Sequence, residues 1–239
     1  MEGSKMIISV SNRKGGQGKT FLSGNIAYML GLKKKKSLCI DLDSQGNLTK
    51  FFRKETISYD DFINCETVSV NDYMDLLPAT KRAKSLQREI DEQTKPVAFI
   101  EKYIINKIKD KYDHVIIDTS PSLDVINFSA FYASDLVIIP VKAQDWSIDG
   151  KNEVKEIIEE INNEYKKNIK YTVVFNFFKG ENRILYKDFL KPLLDQEEHY
   201  SNIVIPDLEY VEQSTTLGNP AIDNQKIYDP INQLVETFV

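Results

Sequence analysis

Short apolar runs recur along the chain, and the segments between them place apolar residues at helical intervals. The runs are rich in β-branched residues and lack the regular alternation with polar residues that a half-exposed strand shows. Runs of this kind are typical of strands that are covered on both faces of a sheet. We predict strands at residues 7–10, 37–40, 73–77, 115–117, 136–141, 171–175 and 203–205.

The segments between the predicted strands have the period of amphipathic helices. Their apolar stripes comprise Leu22, Ile26 and Leu30 in one segment and Val154, Ile157, Ile158 and Ile161 in another. Each stripe can pack against a sheet. The alternation of strand and helix predicts an α/β fold in three layers, with a mostly parallel twisted sheet flanked by helices on both faces. We expect one domain over residues 1–239, with less regular stretches at 53–70 and 79–97.

Composition narrows the class of protein further. The 239 residues include 31 Lys and Arg against 36 Asp and Glu, a net charge of −5, so the molecule as a whole is not a polycation for nucleic acid or anionic lipid. Cys39 and Cys65 lack the spacing of a disulfide framework or a zinc site. The sequence has no apolar run long enough to span a membrane and no export signal, so we expect a cytoplasmic protein.

A glycine-rich loop lies between the first predicted strand and a helical segment. It reads N-R-K-G-G-Q-G-K-T and occupies residues 12–20. Gly15, Gly16 and Gly18 leave main-chain N–H groups open to a phosphate chain at the positive end of a helix. In such a loop Lys19 holds the terminal phosphates, and the Thr20 hydroxyl is a direct magnesium ligand. The loop therefore predicts a nucleotide phosphate site.

Aspartates end two further predicted strands. The segment C-I-D-L-D-S-Q-G-N-L-T begins at Cys39 and places Asp41 and Asp43 after the second strand, and H-V-I-I-D-T-S-P-S-L ends a strand at Asp118. The carboxyl end of a parallel strand beside a phosphate loop faces the ligand crevice. We therefore expect these carboxylates to lie near the bound phosphates.

The order of these motifs resembles that of the ParA/MinD family of P-loop ATPases. Arg13 stands where an ordinary phosphate loop has its first glycine, and Lys14 gives the loop the form K-G-G-x-G-K-T, which resembles the deviant Walker A motif. The resemblance implies a P-loop NTPase fold, ATP hydrolysis, and ATP or ADP with Mg²⁺ as cofactors. It also implies an ATP-dependent homodimer in which Lys14 reaches the phosphates of the partner protomer.

The same resemblance implies roles for single residues. Asp43 would orient or activate the attacking water, Asp41 would help to hold the magnesium shell through water, and Asp118 would bind magnesium-bound water and the Thr20 hydroxyl. Asn176 and Pro206, the latter in I-P-D-L, match the positions that contact adenine in the family. The implied nucleotide-binding set is Lys14, Gly15, Gly16, Gln17, Gly18, Lys19, Thr20, Phe21, Asn176 and Pro206.

Within this family the pattern is most similar to ParA-type partition ATPases. Such a protein would dimerise on MgATP, bind DNA without sequence preference, associate with the nucleoid and respond to a ParB-like centromere-binding partner that stimulates hydrolysis. A basic stripe for DNA could comprise Lys179, Arg183, Lys187 and Lys191.

Other functions are compatible with the same motifs. A ParA-like ATPase could position a protein cargo instead of DNA. A MinD-like regulator that cycles on membranes needs a basic amphipathic tail, whereas residues 229–239 contain no Lys or Arg, so we expect no membrane partner. A metabolic P-loop enzyme would need an acceptor pocket, and the sequence shows none.

Overall fold

A single eight-stranded sheet forms the centre of the structure. The computed structural model describes residues 5–81, 83–142, 149–178, 200–207 and 220–239. Every neighbouring pair of strands is parallel except β3 with β4, in the order β3-β4-β2-β5-β1-β6-β7-β8. The strands are β1 (Met6–Val10), β2 (Ser37–Asp41), β3 (Val68–Asn71), β4 (Met74–Leu77), β5 (His114–Asp118), β6 (Leu136–Lys142), β7 (Lys170–Phe178) and β8 (Tyr200–Pro206).

Helices connect the strands of the sheet. They are α1 (Lys19–Leu32), α2 (Asn47–Phe51), α3 (Tyr59–Ile63), α4 (Ala83–Asp91), α5 (Asn106–Ile108), α6 (Val125–Tyr132), α7 (Asp149–Tyr165) and α8 (Gln225–Glu236). Short 3₁₀ turns occur at Pro96–Ala98, Lys109–Lys111 and Ala221–Asp223, and a π-helical segment spans Ile100–Ile105. Of the helices within the described ranges, none has the length and apolar content needed to cross a bilayer.

Successive strand residues pack into cores on opposite faces of the sheet. In β5, Ile116 packs with residues of α1 and α8, whereas Val115 and Ile117 pack with residues of α4 and α6. A third cluster packs β6 and β7 against α7 and includes Ile139 of β6 and Ile158 of α7. Because both faces are covered, the strands read as continuous apolar runs. The predicted three-layer α/β architecture with a mostly parallel sheet is confirmed.

The two stretches predicted to be less regular contain ordered elements. Within residues 53–70 the structure has α3 and the start of β3, an antiparallel edge strand that the sequence pattern did not reveal. Its burial alternates between half-buried and exposed positions, so it lacks a continuous apolar run. Within residues 79–97, α4 is a regular helix that buries Leu86 and Ile90 in the same core cluster as Val115 and Ile117 of β5.

The strand order fixes where a ligand site can form. Strand β1 lies between β5 and β6. From β1 the chain continues through α1 to β2 on one side, whereas from β5 it continues through α6 to β6 on the other side. In an open α/β sheet the crevice at such a switch point, beyond the carboxyl ends of the strands, is the usual ligand site. The glycine-rich loop begins at this end of β1, and Asp118 is the last residue of the adjacent β5.

Candidate nucleotide site

The glycine-rich loop bridges the end of β1 and the first turn of α1. Gly16 and Gly18 have φ values of +74° and +89°, a left-handed conformation that side chains rarely adopt. At Gly18 a Cβ would also collide with Asn176 and would lie 2.8 Å from Cζ of Phe177. Glycine at this position therefore allows both the turn and the close packing of β7 against the loop. The loop N–H groups and the positive end of α1 together suit an anion.

Lys19 lies beneath the loop at the start of α1. Its Nζ donates hydrogen bonds to the carbonyl oxygens of Asn12 at 3.0 Å and Lys14 at 3.5 Å. Burial lowers the pKa of Lys19, while the charges of Asp118 and Asp43 act in the opposite direction. The ammonium group is thus held inside the curve of the loop, close to the carboxylates of β5 and the β2–α2 segment.

Buried amides attach the loop to the neighbouring strands. Asn12 Nδ2 donates to the Pro140 carbonyl at 2.8 Å, and the Lys142 N–H donates to Gln17 Oε1 at 2.7 Å. Asn176 Nδ2 donates to the Gln17 carbonyl at 2.9 Å. These bonds fix the loop against β6 and β7 through uncharged groups. Asn12 could not be identified from the sequence, because one asparagine before a phosphate loop carries no pattern of its own.

Asp118 connects the end of β5 to α1. Its Oδ2 accepts a hydrogen bond from the Thr20 hydroxyl at 2.8 Å, and its Oδ1 accepts one from the Ser23 hydroxyl at 3.1 Å. The contact with Thr20 is the one implied by the family resemblance. The contact with Ser23 was not predicted, although Ser23 lies one turn after Lys19 on α1 and so faces the same side of the helix.

The second carboxylate, Asp41, ends β2 directly beside Asp118 in the sheet register. Its Oδ2 accepts hydrogen bonds from the Thr49 N–H at 2.8 Å and from the Thr49 hydroxyl at 2.7 Å, and Oδ1 accepts the Asp43 N–H at 3.1 Å. Burial raises the pKa of Asp41 to about 6, against the effect of the Thr49 hydrogen bonds. Asp41 therefore anchors the segment that carries Asp43. Its role in the magnesium shell stays a prediction.

Asp43 lies in the turn between β2 and α2. Its Oδ1 accepts a hydrogen bond from the Gln45 N–H at 2.9 Å, and Oδ2 accepts one from Asn47 Nδ2 at 3.3 Å. Asp43 is largely buried, and its exposed part lines a cavity in front of the glycine-rich loop. A carboxylate fixed by two neighbouring donors and facing a ligand cavity is suited to orienting a water molecule.

A cavity of about 780 Å³ opens in front of the loop. Among the predicted site residues, its walls include Gly15, Gly16, Gly18, Lys19, Thr20, Phe21 and Asp43. The walls also include Gln45, Asn47 and Pro121, which lie in the two acidic segments identified from the sequence, and Lys50, Phe51 and Phe177, which no sequence pattern indicated. Lys14 is exposed on the loop. Asn176 is fully buried behind the loop, Pro206 ends β8, and neither lines this cavity, so their contact with adenine stays a prediction.

The donor set beside the loop fits magnesium. Within the described residues no group of three or more His, Cys, Asp or Glu side chains converges as a metal cage. Mg²⁺ usually keeps several waters and binds through one or two carboxylates together with substrate phosphates. Thr20 and Asp118, with Asp41 next to them, provide that kind of partial site. A divalent cation here would also offset the repulsion between the two buried carboxylates.

The fold, the glycine loop and the acidic strand ends define a P-loop nucleotide-binding protein. A family model described as AAA domain (AAA_31) matches residues 5–171, well over half of the chain. The chain therefore belongs to this family of ParA/MinD-type P-loop ATPases. The sporulation initiation inhibitor protein Soj of Bacillus subtilis is 31% identical over 159 residues, 62% of each chain.

Solved structures share this fold. A candidate plasmid partition protein of Borrelia burgdorferi, crystallised with AMPPNP, superposes with a TM-score of 0.81 at 22% identity, over 99% of this chain and 100% of that one. Cobyrinic acid a,c-diamide synthase of Mycobacterium smegmatis, crystallised with ADP and magnesium, gives a TM-score of 0.77 at 22% identity, over 89% and 94% of the two chains. At these identities the likeness shows the fold alone.

Asp118 should make the stability of the nucleotide-free protein depend on pH. The pKa of Asp118 is raised to about 8, chiefly by burial and then by the Asp41 charge. Between its ordinary pKa and this raised pKa, the unfolded chain releases a proton that the folded protein keeps, so stability falls as pH rises. From about pH 6.5 to 8 we expect a loss of about 1 kcal/mol per pH unit.

Urea unfolding of the wild type and of Asp118→Asn, without nucleotide or magnesium, measures this effect. Asp41, with its pKa raised to about 6, is mostly ionised over this range and contributes little above about pH 7. Asp118→Asn should flatten the pH dependence, whereas Asp60→Asn, an exposed change in α3, should leave it as in the wild type. If the free energy of unfolding changes with pH equally in the wild type and in Asp118→Asn, burial does not raise the pKa of Asp118 as stated.

Proposed function

We propose that this protein is a ParA-type partition ATPase, which binds MgATP, dimerises around it, binds DNA without sequence preference and is reset by slow hydrolysis. The observation that carries the proposal is an exposed Lys14 on a phosphate loop whose Lys19 and Thr20 line one cavity with Asp43, while Asp118 accepts a hydrogen bond from Thr20. An ordinary P-loop protein needs the last four residues but has no use for a second lysine in the loop.

Nucleotide binding is supported by the geometry of the loop. The glycines present open N–H groups, and Lys19 lies beneath them. Thr20 would supply a hydroxyl ligand to Mg²⁺, and Asp118 would bind magnesium-bound water. When bound, magnesium would neutralise charge on the β and γ phosphates. Asp43 would orient the water that attacks the γ phosphate, since it lines the cavity and is held by Gln45 and Asn47.

Dimerisation on ATP is supported by the position of Lys14. Its N–H donates to Asn12 Oδ1 at 2.8 Å and its carbonyl accepts from Lys19, so the main chain of the residue is fixed from within the loop. The side chain is exposed, and the next two residues of the loop, Gly15 and Gly16, line the cavity. A cation so placed can reach a second protomer and offset charge that develops on its phosphates, as an arginine finger does.

DNA binding and a ParB-like partner are proposed from the family. The basic residues that we predict for DNA, Lys179, Arg183, Lys187 and Lys191, lie outside the described residues. The Borrelia burgdorferi protein supports a role in partition, because it is described as a candidate plasmid partition protein. Positioning of a protein cargo is the alternative that the DNA experiment below separates.

Replacing Asp43 should separate binding from turnover. In Asp43→Ala we expect ATP to bind within a few-fold of the wild type, because the phosphate loop is unchanged. The steady-state rate of phosphate release should fall at least about 100-fold, since an oriented base or water-positioning group contributes on that order. Asp60→Ala serves as the matched control and should keep the wild-type rate. Wild-type turnover in Asp43→Ala would remove this carboxylate from catalysis.

Replacing Lys14 should uncouple binding from dimerisation. With a slowly hydrolysed ATP analogue, the wild type should shift from monomer to dimer in multi-angle light scattering, and Lys14→Ala should bind the analogue as a monomer. Lys111→Ala removes an exposed lysine that precedes β5, at the amino-terminal end of this strand and away from the phosphate loop, and should dimerise normally. A normal ATP-dependent dimer of Lys14→Ala would count against the cross-subunit contact.

A gel shift with random duplex DNA tests the partition role. We expect a complex with the ATP analogue but not with ADP, and we expect it to weaken sharply between low and moderate salt because phosphate contacts release counterions. Lys14→Ala should fail to shift the DNA under the same conditions. If the wild type forms an ATP-dependent dimer that leaves DNA unshifted at low salt, partition by DNA binding is refuted and a protein cargo becomes the better explanation.

A further inference from the structure

Phe177 takes a conformation that is unusual for its residue type. It follows Asn176 near the end of β7 and has a φ of +55°, in the left-handed region that bulky residues rarely enter. The register between β7 and β8 shifts between Phe175 and Phe178, so the strand is irregular at the same place. Irregularities of this kind often redirect a side chain next to a functional site, and strained residues persist where the surroundings determine them.

The ring of Phe177 is directed at the nucleotide site and is held there. It is half-buried and lines the cavity in front of the phosphate loop. Phe21, in the first turn of α1, meets it edge to face at 5.3 Å between ring centroids. Lys142 Nζ lies over the ring, 4.9 Å from its centroid. The missing Cβ of Gly18 leaves the space that the ring occupies beside the loop.

We propose that Phe177, supported by Phe21, is the platform against which the base of the bound nucleotide stacks. This inference rests on the proposed function and adds to it the contact for the base. The phosphates would occupy the glycine loop at Gly15, Gly16 and Lys19, and the aromatic pair forms a different part of the wall of the same cavity. Purine rings and phenyl rings stack through apolar and π contacts, and such stacking does not need hydrogen-bond readout.

This placement also explains the arrangement around Asn176. The amide of Asn176 donates to the Gln17 carbonyl, and its Oδ1 accepts the Phe177 N–H at 3.1 Å. Asn176 therefore acts as a positioning residue that fixes the backbone from which the Phe177 ring projects. Its predicted involvement with adenine would then be indirect, through the neighbouring side chain.

Three variants of Phe177 separate stacking from simple filling of space. Phe177→Leu keeps an apolar side chain without a ring, Phe177→Tyr keeps the ring, and Phe177→Gly removes the side chain while relieving the positive φ, so that folding is retained. The probes are MgATP and magnesium inorganic tripolyphosphate, which has the phosphates but no base. Dissociation constants are measured by isothermal titration calorimetry, with thermal unfolding as the check on folding.

We expect Phe177→Leu and Phe177→Gly to weaken ATP binding by about 10- to 100-fold, the range for loss of one base–aromatic stack. Tripolyphosphate should bind them as it binds the wild type, and Phe177→Tyr should restore ATP affinity. An equal loss for both probes would show that the ring only supports the loop, and unchanged ATP affinity would show that the base lies elsewhere. Either result overturns the inference.

These outcomes are distinct from failure of the proposed function. If the wild type binds neither ATP nor tripolyphosphate, the nucleotide site itself is refuted and the base platform with it. If the wild type binds both probes and Phe177→Leu binds both equally well, only the platform is lost.

Discussion

The hydrogen bond between Asp118 and Thr20 joins the end of β5 to the first turn of α1, and the arrangement of the site depends on it. The bond is part-buried on a buried carboxylate, and the Ser23 hydroxyl donates to the other carboxylate oxygen. This contact sets the distance between the helix that presents the phosphate loop and the strand that presents the acidic group. Since β1 runs between β5 and β6, the loop is positioned at the switch point of the sheet.

Around that contact, uncharged side chains hold the phosphate loop in place. The segment that follows β2 is held by the Asp41 carboxylate. Asn12, Gln17 and Asn176 attach the loop to β6 and β7 with side-chain amides. The Asp41 carboxylate accepts hydrogen bonds from Thr49 and from the N–H of Asp43, and these bonds fix the turn before α2. The charged groups that face the cavity can therefore serve a ligand, because other residues perform the structural work.

Much of this could be predicted from the sequence, since each motif follows a strand in chain order. The sequence predicts an open glycine loop at residues 15–18, and the structure adds that Gly16 and Gly18 take a left-handed backbone. Strand β3 could not be predicted, because an edge strand with alternating exposure lacks a continuous apolar run. Phe177 could not be predicted either, because its direction results from the irregular pairing of β7 with β8, which no local pattern in F-N-F-F encodes.

The sequence by itself determined the type of fold, the phosphate loop and the family, because these depend on local spacing: apolar runs, glycines where a backbone must turn, and aspartates that end strands. Tertiary structure decided which side chains meet. It placed Asp118 against Thr20 and Ser23 across 98 and 95 residues of chain, turned Asn176 towards the back of the loop, and brought Phe177 beside Phe21. Contacts between distant segments follow from the strand order and the packing of both faces, which the spacing of residues along one segment does not contain.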